Sequence, residues 1–508
     1  MILDTIDNLL IYAKHHLNLT DELNQIYVKN LILDELKLTH PNEIFNDSKE
    51  EEIKKLIVPD TLIEELNKYL IEELGLSEKE AELKYTKIMG LLTETPKEVK
   101  ERFFELYDNF DDKVALNYLY DLSIRNFYFQ KTKVDKNIVW STDYPTKNIE
   151  VSINLSKPEK NNKDIAKLLS KPKTSEVKYP KCLLCLENLG FAGNANHPAR
   201  ENIRVIPLNL NGEEWYLQYS PYGYFYKHCI VLSKHHNNMV INEGTFRKLT
   251  DFVDKFPSFF IGSNADLPIV GGSILNHEHY QGGEHILPVM RAEKGKEYKL
   301  SDYSDVKLFK LDWYNTCLLL ESENKEHVIE VATKILEAWR NYDDPENEIL
   351  SHTGEIRHNT ITPSIRKVDG KYSLYLILRN NRCNDKYPDG IFHAHPEHHN
   401  IKKEGIGIIE AMGLFILPAR LIRQENQIKD ALAANLTNKE IVEKYTDLED
   451  FLPMIEVLKR GYNPETIDKK INEFIENTCT DILRNTSVFK DTEIGINGLD
   501  KFIGGIKL

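Results

Sequence analysis

The chain has little cysteine, no long apolar run and no excess of positive charge. Six cysteines among 508 residues are too few for a disulfide framework, which points to a reducing, cytoplasmic setting. The longest apolar-rich run, Ile406 to Leu417, is interrupted by Gly407, Glu410 and Gly413 and falls short of a membrane span. The opening Met1-Ile2-Leu3-Asp4-Thr5-Ile6-Asp7 is acidic and amphipathic, unlike a signal peptide. A net charge of -15 and a pI near 5.7 exclude nucleic-acid binding driven by bulk positive charge. They leave room for a local basic pocket around a nucleotide phosphate. With 41% hydrophobic and 29% charged residues, the chain reads as globular and long enough for two or three domains.

Hydrophobic spacing divides the chain. Up to about residue 135, apolar positions recur at helical intervals, as in Ile6, Leu9, Leu10 and Ala13, and in Leu62, Ile63, Leu66 and Leu70. Ser77-Glu78-Lys79-Glu80 has the form of a capping box. The charge run Asp47 to Glu52 reads as a solvated face. From 136 to 300 the texture changes to short strands and turns. Val151 to Leu155 alternates, Ser156 to Lys181 reads as a Lys/Pro/Ser connector, and Ile203 to Pro207, Trp215 to Tyr219 and Cys229 to Leu232 read as strands. Residues 301 to 425 repeat that grain. Strands are expected at Cys317 to Leu320 and Tyr372 to Leu378, and helices at His327 to Trp339 and Ile406 to Leu417. His393-Ala394-His395 echoes an earlier His-x-His and hints at duplication. Residues 426 to 508 read as helical, opening near Thr437-Asn438-Lys439-Glu440 and closing in a glycine-containing tail after Gly495.

The densest chemistry lies in Gly271-Gly272-Ser273-Ile274-Leu275-Asn276-His277-Glu278-His279-Tyr280-Gln281-Gly282-Gly283. On a strand, His277, His279 and Gln281 share one face, and flanking glycines let a ligand approach the backbone. A histidine nucleophile beside an amide donor suits phosphoryl or nucleotidyl transfer. The attacking imidazole must be neutral, so a backbone carbonyl is expected on its other nitrogen.

Cys182-Leu183-Leu184-Cys185 is redox-active or half of a metal site. No second Cys-x-x-Cys exists, so a zinc site needs histidines: His277, and one of His235 and His236. In that arrangement His277 is a ligand, His279 the nucleophile and Gln281 a phosphoryl contact. A polar patch supplies further candidates for phosphate, ribose or base: Arg200, Asn202, Arg204 and Asn209. In the second block, His358, His393 and His395 could hold a second metal with a carboxylate, or equally bind a sugar phosphate. Lys402-Lys403 leads toward a helix carrying Glu410, where a phosphate and sugar hydroxyls could be held.

These stretches together resemble the hexose-1-phosphate uridylyltransferases of the Leloir pathway, in their second, chiefly Gram-positive class. The likeness is carried by Tyr179 through Pro207, Gln218 through Tyr222, Gly271 through Gly283, Arg357 through Pro363, Leu378 through His395, and Ile401 through Arg420. It implies an α+β fold of two histidine-triad-like halves with antiparallel sheets, plus a helical N-terminal region. It implies transfer of a uridylyl group from UDP-glucose to galactose-1-phosphate through a uridylyl-histidine, in a cytoplasmic homodimer with no nucleic-acid or membrane partner. The first class carries His-Pro-His-Gly-Gln where this chain has His277-Glu278-His279-Tyr280-Gln281. The nucleophile therefore maps to His279, with Gln281 beside it. Its zinc ligands map to Cys182, Cys185, His236 and His277. Ser273, Arg200, Asn202, Arg204, Asn209, Lys403 and Glu410 are the expected substrate contacts. A second metal at His358, His393 and His395, with Glu293 as the candidate carboxylate, stays open.

Overall fold

A computed structural model describes residues 2–155, 179–194, 196–272 and 274–508. The expected connector falls largely outside the described residues, as does Ser273. The backbone divides into two compact units, each built from separate stretches of chain: Met1–Lys136, Pro172–Asn237 and His277–Gly283 in one, and Asn137–Lys171, Asn238–Asn276 and Glu284–Leu508 in the other.

Unit one joins the N-terminal helices to four antiparallel strands. Ile206–Leu210 pairs with Glu213–Tyr219, that strand with Cys229–Ser233, and that in turn with His279–Gly283. Helix starts follow the sequence signals. Ser77 and Glu80 close a reciprocal capping box on helix Glu78–Leu92, and Thr95 and Glu98 do the same for Pro96–Asn109. The expected N-terminal block at 1–135 is helical, but it is not a separate body. Helices Pro96–Asn109 and Asp112–Arg125 pack against the first two strands, and the Tyr219 hydroxyl donates to the Leu116 carbonyl at 3.0 Å. Leu9, Leu66, Ile88, Phe103, Leu116 and Leu119 are buried, each adding about 1.5–3 kcal/mol of burial energy.

Unit two carries the longer antiparallel run. The hairpin Asn359–Val368 with Lys371–Asn380 is flanked by Cys317–Ser322, Lys307–Leu311 and Lys294–Tyr298 on one side and Phe260–Gly262 on the other. Helices Glu243–Lys255 and Lys325–Arg340 cover this run, with Trp339 buried beneath them. Its indole N–H reaches the Thr360 carbonyl at 2.9 Å. That docking explains why 238–276 leaves the expected 136–300 block: its helix packs on strand Asn359–Val368 and helix Lys325–Arg340.

Three local readings change. The strand at Glu150–Asn154 is buried at every position, not alternating, because strand Leu414–Pro418 lies parallel beside it and Ile138–Ser141 antiparallel on its other edge. The expected helix Ile406 to Leu417 is one turn, Ile408–Ala411, followed by strand Leu414–Pro418. Gly413 makes the switch at φ +97, where a Cβ would sit 2.7 Å from the Trp313 ring. The C-terminal tail is helical: Glu493–Gly504, capped by Thr492. Among the described residues no helix is long and apolar enough to cross a membrane.

Candidate active site

The strand that carries the candidate nucleophile begins at His279, two residues later than the alternation suggested. His277 precedes it in a bend and is fully buried. The backbone here is pinned on both sides. Glu278 N–H donates to the Asn237 carbonyl at 2.8 Å, and Glu278 C=O accepts from Ser233 N–H at 3.0 Å. Behind the strand, Tyr280 stacks on Trp215 with ring centroids 4.7 Å apart, and its hydroxyl donates to Glu278 at 2.9 Å. The two residues that depart from the first-class motif thus brace each other. The glycines serve backbone packing more than ligand approach. A Cβ on Gly271 would meet the Ala265 carbonyl at 2.5 Å, and one on Gly283 the Lys227 carbonyl at 2.7 Å.

His279 is buried, and its Nδ1 lies 2.8 Å from the His277 carbonyl. The carbonyl can only accept, so Nδ1 carries the proton and Nε2 the lone pair. Burial pushes the ring's pKa down to about 4, which keeps it neutral near pH 7. Gln281, next on the same face, is half-buried. Its side-chain oxygen lies 3.0 Å from Nε2 of His228, a residue the sequence reading passed over. Nothing short-range could have found His228, since the pairing that brings it to Gln281 spans 53 positions.

Beside the strand, one ligand atom from each of Cys182, Cys185, His236 and His277 lies within 4.8 Å of the others. Nδ1 of His277 faces the Cys182 sulfur at 3.3 Å, and Nδ1 of His236 faces the Cys185 sulfur at 3.1 Å. His277 Nε2 sits 2.9 Å from the Ser233 carbonyl, fixing the tautomer that turns the Nδ1 lone pair to the sulfurs. Of the two candidate histidines, His236 joins the group and His235 is exposed. Two thiols and two imidazoles at this spacing form a donor set that fits a tetrahedral metal ion.

The polar patch behaves differently. All five N–H donors of Arg204 are taken by backbone carbonyls of Gly90, Thr93, Glu94, Glu201 and Ile203 at 2.6 to 3.2 Å. The expectation of a phosphate contact there is corrected: Arg204 ties helix ends to the strand unit. Asn202 exchanges side-chain bonds with Asn126 at 2.7 and 3.0 Å and is likewise structural. Asn209 is exposed and accepts from Gly212 N–H in the turn that follows. Arg200 differs, half-buried with its guanidinium 5.6 Å over the Tyr128 ring and one long bond of 3.4 Å to Ala199.

In unit two, Glu410, expected with Lys403 among the substrate contacts, pairs with Lys402. The Lys402 ammonium donates to Glu410 at 3.0 Å and to the Ile416 carbonyl at 3.1 Å, whereas Lys403, one residue on, is exposed. The histidines proposed for a second metal each have their own protein partners. His358 bridges Asn381 and Thr353 at 2.8 Å each. His393 accepts from Ile406 N–H at 3.3 Å, and His395 stacks on Tyr387 and bonds the Ile391 carbonyl. Glu293 is exposed. Among the described residues, Cys182, Cys185, His236 and His277 form the one such cluster.

A buried, neutral imidazole oriented by a carbonyl and followed by an amide on its own face is an arrangement suited to nucleophilic group transfer. Two family models extend that to a particular family: galactose-1-phosphate uridyl transferase, N-terminal domain, over residues 31–238, and its C-terminal domain over 251–448. The chain is 44% identical over 454 residues to the galactose-1-phosphate uridylyltransferase of Clostridium acetobutylicum, covering 88% of this chain and 90% of the relative. It is 40% identical to that of Caldanaerobacter subterraneus, over 96% and 94%, and 39% identical to that of Bacillus subtilis, over 94% and 92%. The chain belongs to the galactose-1-phosphate uridylyltransferase family. A likeness to the crystal structure of yeast Ap4A phosphorylase covers 62% of this chain and 90% of that one, at 11% identity and a TM-score of 0.32, too slight to bear on the argument.

Proposed function

We propose that this chain transfers a uridylyl group from UDP-glucose to galactose-1-phosphate through a covalent intermediate on His279. Family membership and the names of relatives matched nearly end to end support the overall reaction. The 2.8 Å contact from His279 Nδ1 to the His277 carbonyl carries the assignment of the nucleophile. In that tautomer Nε2 carries the lone pair, which attacks the α-phosphorus of UDP-glucose. A P–N bond forms, the bond to the β-phosphate oxygen breaks, and glucose-1-phosphate leaves. A phosphate oxygen of galactose-1-phosphate then attacks the same phosphorus, the P–N bond breaks, and His279 returns to its neutral form with UDP-galactose released. Gln281 stabilises charge on the phosphoryl oxygens in both steps. Arg200 is the member of the polar patch whose guanidinium suits a substrate phosphate.

Zinc suits the donor set of Cys182, Cys185, His236 and His277. Its part is structural: it would lock the residue whose carbonyl orients His279. In unit two, the ion pair of Lys402 with Glu410 has the chemistry to hold a sugar phosphate, an ammonium for phosphate and a carboxylate for hydroxyls.

The test is isotope exchange without acceptor. Labelled glucose-1-phosphate should enter UDP-glucose in the absence of galactose-1-phosphate, and His279→Ala should abolish this. Exchange that requires galactose-1-phosphate would refute the two-step route.

A further inference from the structure

Gln281 can serve a phosphoryl oxygen only with its amide nitrogen forward, since its oxygen in that place would repel the phosphate. What sets the amide's direction lies across the sheet. Ile230 pairs with Gln281 in register, so His228, two residues earlier, is Gln281's diagonal neighbour on the same face. The His228 ring is buried, packing on Phe225 at 4.6 Å and Tyr224 at 5.2 Å between centroids. Its Nε2 is 3.0 Å from Gln281 Oε1, and its Nδ1 is buried without a hydrogen-bond partner among the described residues. A buried N–H with no acceptor costs more than a buried lone pair with no donor. The neutral Nε2–H tautomer is therefore favoured, and burial disfavours the cation that would protonate both nitrogens.

We propose that His228 is a positioning residue: its Nε2–H holds the carbonyl end of Gln281, so the amide N–H pair is what the site offers a phosphoryl oxygen. The proposal rests on the role given to Gln281 above. His228 acts through Gln281 and needs no contact with substrate. Because Gln281 serves both half-reactions, loading by UDP-glucose and discharge by galactose-1-phosphate should slow together when His228 is lost.

The experiment is a double-mutant cycle on wild type, Gln281→Ala, His228→Phe and the double variant, following kcat, KM and the loading rate. Gln281→Ala should cost roughly 100-fold in kcat, His228→Phe about 10-fold with KM little changed, and the double variant no more than Gln281→Ala. His228→Gln, which keeps an N–H donor, should recover most of the loss. Multiplying losses in the double variant, or a folded His228→Phe at full rate, would overturn the proposal. Absence of any nucleotide on the wild-type enzyme during turnover would instead overturn the covalent route, so the two failures are distinct. Should His228→Phe not fold, 15N NMR of histidine-labelled enzyme, assigned with His228→Gln, decides. An Nε2–H tautomer at 228 upholds the proposal, and an Nδ1–H tautomer, which would turn the Gln281 amide around, refutes it.

Discussion

Two polar stretches of unit one, the patch at 196–209 and the strand after His277, look equally rich in chemistry as sequence. Folded, they differ in where their polar groups go. In the patch, Arg204 and Asn202 turn inward and satisfy backbone carbonyls of the N-terminal helices. In the strand, backbone groups and a neighbouring histidine orient the side chains of His279 and Gln281. A buried arginine whose five donors all end on carbonyls holds the fold; a buried histidine with one nitrogen fixed by a carbonyl has the lone pair of its other nitrogen set in one direction.

Breaking the strand should have the largest effect. His279→Ala is expected to lower kcat on the order of 10⁴-fold or more while thermal stability holds, read by steady-state kinetics beside a melting curve. Next comes the cluster of two cysteines and two histidines. Elemental analysis should find one metal equivalent per wild-type chain and none in Cys185→Ser, which should be destabilised by more than about 4 kcal/mol. Elemental analysis finding two equivalents in the wild type would revive a second site and undo the reading of His358, His393 and His395 as hydrogen-bonded residues.

Within the patch the expectation inverts. Arg204→Met should cost about 3 kcal/mol of stability, by leaving buried carbonyls without donors, yet leave the KM for UDP-glucose unchanged in the folded enzyme. Arg200→Ala should do the opposite, raising that KM about tenfold with little change in melting. A raised KM in folded Arg204→Met would erase the contrast between the two arginines.

The smallest effect on activity concerns Glu201, between them. Burial raises its carboxyl pKa to about 7. The folded state then binds a proton that the unfolded state, with its ordinary carboxylate, has already lost. Stability should fall as pH rises from about 4.5 to about 7, and Glu201→Gln should remove that slope in denaturant titrations.

Much of this was legible in the sequence where the signal is local. The capping boxes at Ser77 and Thr437 start helices where expected, because both partners lie within one turn. Cys-x-x-Cys pointed to a redox pair or half of a metal site because its two sulfurs are close in sequence, and only the fold separates His236 from His235 as their companion. Local signals misled where one residue overrides a run, as Gly413 does by converting an apolar helix pattern into a strand. They were silent where partners are remote. Arg204 looks like a phosphate ligand until the helix end at 90–94 is brought to it, and His228 looks like any strand residue until Gln281 lies diagonally opposite. Lys402 and Lys403 are indistinguishable as sequence and separated only by which of them faces Glu410.

The central claim is that His279 carries the uridylyl group, and mass spectrometry of the intact enzyme mixed with UDP-glucose alone tests it most directly. The account predicts one uridylyl group per chain, mapped to His279, absent from His279→Ala and discharged by galactose-1-phosphate. Turnover without any such adduct, or an adduct on another residue, would contradict it.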